Sequence, residues 1–485
     1  MTVPKVKLGD IRLGITNAFA RMPFRFGVVT MEAAASLTLE LEMTVEGRSV
    51  VGYSSDLLAY KWFDKRPEKT PADNVADLLW VVQLAAGIAR DLPEATPFEL
   101  WRQLDVAVDR ASVEGGFNRL GASFGVSMIE RAMIDGVGKA LGLGFRAMLT
   151  KDALGLRPTD VFPELAGMSV DDALPSTPFG KLDLRHTIGM VDPLTAADPF
   201  EPAGDGLPET LEDYLRQDGI RYLKIKVGGD LDADIARLEA IAGLLASGGR
   251  TIAATLDGNE QYKRLENFAA LMDAVRSRPA LDALYRATLF VEQPLERSVA
   301  LADTLDETAL ETIGLPLLID EADGWTSAFR EAIDLGYHGV SHKNCKGVIR
   351  SVLNAMLAAR HSRLTGRPGD YFQSAEDLTC LPTVSLQADL AVVAALGIGH
   401  VERNGHHYFR GLDHLPEQEA EAALAAHPDL YERAGGRIQL AIRDGALSVA
   451  SLDRPGLGST VKPDLAQSIA PQDWSFAMLN TKTAI

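Results

Sequence analysis

Cysteine is nearly missing from this chain: 485 residues contain two, Cys345 and Cys380. Two thiols cannot build the multi-bridge framework of a small secreted scaffold, and their scarcity fits a reducing compartment. Positive charge is also short. Lys and Arg number 48 against 67 Asp and Glu, a formal net charge of −19. That balance argues against a nucleic-acid partner, which would need a basic stripe. Long hydrophobic runs are lacking too. The longest, around Leu78 to Ala89, is interrupted by Gln83 and falls short of the ~20 residues of a membrane span. The opening MTVPKVKLGDIRLG has no apolar core of the signal-peptide kind. The expectation is a cytoplasmic protein with no membrane partner. An acidic chain can still take an anionic small molecule, because local lysines and a bound cation invert the field inside one cleft.

What is present is an ordinary globular balance, 46% apolar and 24% charged. The length exceeds one typical domain, so a large domain plus an added one is expected. From Ser36 to Glu46 the residues alternate, with Leu37, Leu39, Leu41, Met43 and Val45 on one face. Glu46-Gly47-Arg48 reads as a turn into a second strand near Ser49 to Tyr53. Helical patterns follow, one capped by Asn74, one opened by Pro97 and one from Ser127 to Leu141. Residues 1–150 therefore read as an α+β unit. Residues 151–184, rich in Pro, Gly, Asp and Ser, read as a linker.

Beyond it, strand-like runs fall near His186–Met190, Tyr222–Val227, Ile252–Asp257, Leu289–Glu292, Pro316–Asp320, Gly339–Lys343, Tyr371–Ser374 and His400–Glu402, with helical patterns between. Eight such units predict an α/β fold, a (β/α)8 barrel over 185–410. The tail, 411–485, returns to helix and a short β run and is expected to pack back on the first domain. Charged residues close the apolar runs in order: Lys224 and Lys226, Asp257, Glu292, Asp320, then Lys343 and Lys346. Neighbouring positions lie about 23 to 35 residues apart, close to the roughly 30-residue βα period. A parallel barrel gathers its strand C-termini at one mouth. Three carboxylates there can hold a divalent cation between two lysine clusters, an arrangement for drawing a proton from carbon.

At these residues the chain resembles the enolase superfamily, and within it the mandelate racemase/muconate lactonizing enzyme group. The likeness rests on Lys-x-Lys at 224–226, Asp-x-Asn at 257–259, Glu-Gln-Pro at 292–294, Asp-Glu at 320–321, the lysine segment 343–346, the helix SMIERAMIDGVGKALG and the tail DRPGLGSTV. Their order and spacing carry it more than any one motif. The resemblance implies a capping domain, residues 1–150 completed by the tail, over the barrel. It implies Mg2+, with Mn2+ as the alternative, on Asp257, Glu292 and Asp320, hard oxygen ligands suited to that ion. Lys226 and Lys343 become the two acid/base groups on opposite sides of the substrate, with Lys224 depressing the Lys226 pKa and helping to hold the substrate carboxylate. Asn259, Glu321 and Lys346 become supporting residues around the ligands. It also implies a homo-oligomer acting on a small carboxylic acid through a metal-stabilised enediolate, giving epimerisation, racemisation or cycloisomerisation. Elimination from a sugar acid on the same site, or a barrel that binds metal or acid without catalysis, are the alternatives.

Substrate choice in such barrels falls to the last two strands, here YFQSAEDL and HVERNGHHYFRG. Glu376, Glu402, Asn404 and His406 are the candidate substrate-binding groups. Glu402-Arg403-Asn404 replaces the Asp-x-Asp of dipeptide epimerases, and Lys343 stands where a His–Asp dyad would begin. His342, preceding it, should face away from the barrel interior. The lid is expected from Arg21 to Gly27 and from Ser54 to Asp64, which combine aromatics with cations.

Overall fold

The computed structural model describes residues 2–26, 29–249 and 251–480. Three antiparallel strands, β1 (Val6–Phe26), β2 (Val29–Val45) and β3 (Arg48–Leu57), form the first sheet in that order. The alternating leucines, Met43 and Val45 point into the core, none more than 4% exposed. Glu46 and Gly47 turn the chain with φ of 49° and 75°, the left-handed pair that a tight hairpin requires. The strand β1 goes beyond the expected hairpin. Its pairing slips between Leu8 and Ile11 and between Phe19 and Phe24, and such bulges erase the period-2 pattern by which a strand is recognised.

Of the helices α1 (Pro71–Asp91), α2 (Pro97–Glu114) and α3 (Arg119–Leu141), α3 packs on β2 and β3, α1 reaches β1, and α2 packs on the other two. Thr70 caps α1 in a reciprocal box with Asp73, with Pro71 in the first turn. Asn74, the expected cap, sits inside that turn and accepts the Lys61 N–H at 2.6 Å. By length and composition α1 could cross a membrane, yet Val75, Leu78, Val81, Val82 and Ala85 are buried in the packed core. The third helix starts at Arg119, earlier than its expected Ser127, with Asn118 accepting from Gly121 N–H at 2.7 Å. Its early glycines resemble a loop, but Gly125 permits close helix packing. A Cβ there would stand 2.6 Å from the Val81 carbonyl oxygen.

Residues 151–184 are threaded with short helical turns at Pro158–Asp160, Pro163–Leu165 and Val170–Asp172, and their end already belongs to the next strand. Eight parallel strands follow: β4 (Lys181–Ile188), β5 (Tyr222–Lys226), β6 (Ala253–Asp257), β7 (Thr288–Glu292), β8 (Leu317–Ile319), β9 (Gly339–His342), β10 (Phe372–Ala375) and β11 (His400–Arg403). Each pairs with the next, and β11 pairs with β4, closing the (β/α)8 barrel. The first strand begins at Lys181, ahead of the expected His186.

After the barrel, helix Glu417–Ala426 leads to the hairpin Tyr431–Ala434 and Arg437–Leu440. Ala446–Ser448 then runs antiparallel to β4. The tail reaches the first sheet, where Ile15 and Ile469 exchange backbone hydrogen bonds of 2.8 and 2.9 Å, and Trp474 Nε1 donates to Asn17 Oδ1 at 2.9 Å. Residues 481–485 of the tail lie outside the described residues. A second join runs through Glu130 of α3, fully buried, which accepts the backbone N–H groups of Val348 and Ile349. These open helix Val348–Thr365, so a side chain of the capping domain satisfies the start of a barrel helix.

Candidate active site

The barrel geometry delivers the expected carboxylates to one place. Asp257 and Glu292 are register partners at the ends of β6 and β7, and Asp320 follows β8. All three are at most 2% exposed. Lys224 and Lys226 stand two apart on β5 and so face the same side, with Lys226 in register with Asp257. Lys343 follows β9. In a ring of eight, β5 and β9 lie four strands apart, so Lys226 and Lys343 rise from opposite walls.

Lys224 is the hub of the floor. Its ammonium lies 2.7 Å from Glu292, 2.9 Å from Glu376, 3.0 Å from Asp257 and 3.2 Å from Glu402. Burial would lower its pKa, but these acids outweigh burial and raise it well above the ordinary lysine value. Lys226 donates to Asp257 Oδ2 at 2.5 Å. Lys343 donates to Asp320 Oδ2 at 2.5 Å, and its Nζ lies 4.5 Å from the centroid of the Trp62 ring. Burial would lower Lys343 as well, yet Asp320 outweighs it and holds the ammonium above its usual value. That is the reverse of the depression expected of a lysine base. Glu292 is pushed up by burial and then by Asp257 and Glu376, whereas burial of Asp320 is overcome by Lys343 and Lys346, which hold it low.

Gln293, inside the Glu-Gln-Pro motif, sets the Asp320 loop. Its Oε1 accepts from Asp320 N at 2.8 Å and Ala322 N at 3.2 Å, and its Nε2 donates to Leu295 O at 2.6 Å. Gly258 lets the Asp257 loop lie against this segment, since a Cβ there would stand 2.6 Å from Pro294 Cα.

Above the floor opens a cleft of about 490 Å³. Phe24, Met31, Leu57 and Trp62 reach it from the capping domain; Met190, Leu378 and Tyr408 reach it from barrel loops. Phe24 stacks on Tyr408 with ring centroids 4.0 Å apart, joining the two sides. Both expected lid segments thus meet the cleft; Gly27 lies outside the described residues. Arg297 donates to the Trp62 and Phe63 carbonyls at 2.8 and 2.9 Å and pairs with Glu260, which clamps the Trp62 segment to the barrel.

A family model described as "Enolase C-terminal domain-like" matches residues 206–465, more than half of the chain. The chain belongs to the enolase superfamily. It is an enzyme of that superfamily, in the mandelate racemase/muconate lactonizing enzyme group. No curated protein matches its sequence. Similar solved structures include an N-succinyl Arg/Lys racemase from Bacillus cereus, 17% identical, covering 96% of this chain and 98% of its own, TM-score 0.60. A dipeptide epimerase from Enterococcus faecalis, complexed with Mg and L-Leu-L-Tyr, is 16% identical over 93% of this chain and 99% of its own, TM-score 0.59. A muconate lactonizing enzyme from Pseudomonas fluorescens is 15% identical over 94% and 96%, TM-score 0.57. At such identities the likeness speaks to the fold.

In this enolase-superfamily barrel the other expected residues divide. Asn259 donates to Glu321 at 3.3 Å, and Glu321 faces Lys65 at 3.5 Å, all lining the cleft. Lys346 lies beneath the floor, bonded to Ser341 Oγ at 2.7 Å and paired with Asp323 at 3.0 Å. Glu402 and Asn404 line the cleft, but Glu402 already accepts from Thr187, Asp377 N and Asn404. Glu376 is buried below, paired with Arg185 and Lys224. His406 does not reach the cleft. The helical turn Gly405–Tyr408 carries it aside, with its Nε2 3.4 Å from His186 Nδ1, into a separate small hollow beside Tyr214. His342 faces outward, bonded to Ser351 Oγ at 2.8 Å. Sequence reading passed over Gln293, although its motif was in view, and Met190 and Leu378, which no periodic pattern marks.

Among the described residues no three His, Cys, Asp or Glu side chains stand grouped as a ready metal-ligand set; lysine ammoniums are the cations among the carboxylates. The donor chemistry nevertheless fits a hard divalent ion. Three all-oxygen groups end adjacent strands, and Glu292 Oε2 lacks a well-directed hydrogen bond although Lys224 stands 2.7 Å away. Binding would exchange the Lys226 and Lys343 contacts for the ion.

Proposed function

We propose that this enzyme removes the α-proton of a small carboxylic acid and then returns a proton, giving epimerisation or racemisation, or lets a ring open or close, giving cycloisomerisation. The observation that carries this reading is the opposition of Lys226 and Lys343 across one cleft above Asp257, Glu292 and Asp320. A lysine on each face lets one nitrogen take the proton from carbon while the other delivers one to the opposite face. The three carboxylates would hold Mg2+, which when bound supplies positive charge against the charge growing on the substrate carboxylate. Lys224 places positive charge among Asp257, Glu292, Glu376 and Glu402, which helps to keep four acids compatible in one buried place. The Phe24–Tyr408 stack and Trp62 exclude water from the reacting carbon. Similar folds include a racemase and an epimerase, which supports the same outcome here. Assembly into a homo-oligomer belongs to the same reading, and light scattering on the purified chain tests it.

The test of the reaction is incorporation of deuterium at the α-carbon of acids incubated with the Mg2+-loaded enzyme in D2O. Exchange lost with EDTA and in Lys226→Ala or Lys343→Ala supports the assignment. Full exchange in both variants overturns it.

A further inference from the structure

The walls of the cleft differ in chemistry from its floor. Phe24, Met31, Leu57, Ala59 and Trp62 face Met190, Leu378 and Tyr408 across the space above the lysines. Apart from the Thr379 hydroxyl, which has no hydrogen-bond partner among the described residues, the polar side chains on these walls are largely committed. Thr187 and Asn404 donate to Glu402 at 2.6 and 3.1 Å, Asn259 donates to Glu321, and Gln261 donates to the Asn259 carbonyl at 3.0 Å. Asp377 accepts from Cys380 N and Asn404 N, both at 2.8 Å. Lys61 is spent on the carbonyls of Arg66 and Lys69, and Lys65 on Glu260 and Glu321. Arg25, exposed at the rim, is the cleft cation without a bonded partner among the described residues, and it serves the mouth.

From this division we infer that the substrate is an acid whose body beyond the α-carbon is apolar, and that the site selects against polyhydroxylated acids. A hydroxyl on such a body would leave water for a wall of methyl, thioether and aromatic groups, with few acceptors or donors unspent, and would lose its hydrogen bonds. An alkyl or aryl body gains burial there. Met31, Leu57 and Met190 set this preference, and Trp62 joins the apolar wall to Lys343. The inference rests on the proton-abstraction reading only for where the carboxylate end sits. The apolar preference itself is a property of binding.

Calorimetric titration of the Mg2+-loaded enzyme separates the two. The probes are 4-phenylbutanoate and N-acetyl-L-leucine against D-gluconate and D-galactonate. The apolar acids bind at least about tenfold more tightly, the scale of discrimination that an apolar pocket provides. Met190→Gln, at a side chain 40% exposed and so tolerant of change, narrows that ratio severalfold while Mg2+ affinity stays the same, and Met31→Gln does likewise from the opposite wall. Equal or tighter binding of the sugar acids, no binding by any of the four, or an unchanged ratio in both variants overturns the inference. Deuterium exchange measured on the same acids reports separately on the reaction. Apolar acids that bind without exchanging would count against proton abstraction and leave the binding preference standing.

Discussion

The ammonium of Lys343 sits over the indole face of Trp62, Nζ 4.5 Å from the ring centroid, while it donates a hydrogen bond to Asp320. A capping-domain residue therefore helps to place a barrel lysine. Cation–π contacts of this kind contribute roughly 0.5–2 kcal/mol. Trp62→Leu is expected to lower the turnover number about tenfold, and Trp62→Phe to recover part of it. Steady-state exchange rates with any acid shown to react check this.

Removing either facing lysine tests the chemistry more directly. Lys226→Ala and Lys343→Ala should each reduce α-exchange by at least about a hundredfold, the lower range for losing a positioned acid or base. Mg2+ titration followed by calorimetry should still show binding. Turnover that survives in both variants would remove the lysines from the mechanism.

Gln293 offers a separate prediction, on stability and metal affinity together. In Gln293→Leu the backbone N–H groups of Asp320 and Ala322 lose their acceptor in a buried place, at a cost on the order of 2–4 kcal/mol. Loosening Asp320 should also weaken Mg2+ binding by about tenfold, as losing such outer partners commonly does. Urea unfolding and a Mg2+ titration measure the two effects, and Gln293→Glu, which keeps the acceptor, should be milder.

The carboxyl of Glu130 is pushed up to about 7, because burial penalises its charged form more than the helix N–H groups of Ile349 and Val348 favour it. A folded-state pKa above the unfolded one means that the folded protein holds the proton more tightly. Its contribution is therefore fully present below about pH 4.5 and is lost as pH rises through 7. The amount is on the order of 3 kcal/mol. Glu130→Gln should flatten the fall of stability between pH 5 and 8, as read from denaturation midpoints across that range; a slope equal to that of the parent protein would refute this role.

The barrel and the order of its strand-end acids were legible in the sequence because several strands are short apolar runs closed by a charge. The helix spans 231–248, 265–276 and 348–365 fall where helical patterns were expected between the strands. What escaped depended on contacts distant in the chain. The strand β1 is hidden by its bulges, and the true start of α3 by glycines whose use is visible only once α1 is packed against them. Lys224 reads as a gripping lysine until four acids from four other strands are seen around it. His406 lies in the expected loop, but a single helical turn decides which way it faces. The apolar walls gather residues from positions as far apart as Phe24 and Tyr408, and no local pattern announces them.

The exchange of hydrogen bonds between Ile15 and Ile469 has a consequence for biosynthesis. The segment that covers this part of the outer edge of β1 lies more than 400 residues beyond the end of β3 and so leaves the ribosome long after the sheet. At roughly 5–20 residues per second, the nascent sheet waits tens of seconds for its cover. During that interval its unpaired edge is open to other chains. Chaperone occupancy on translating ribosomes should therefore persist until the tail has emerged.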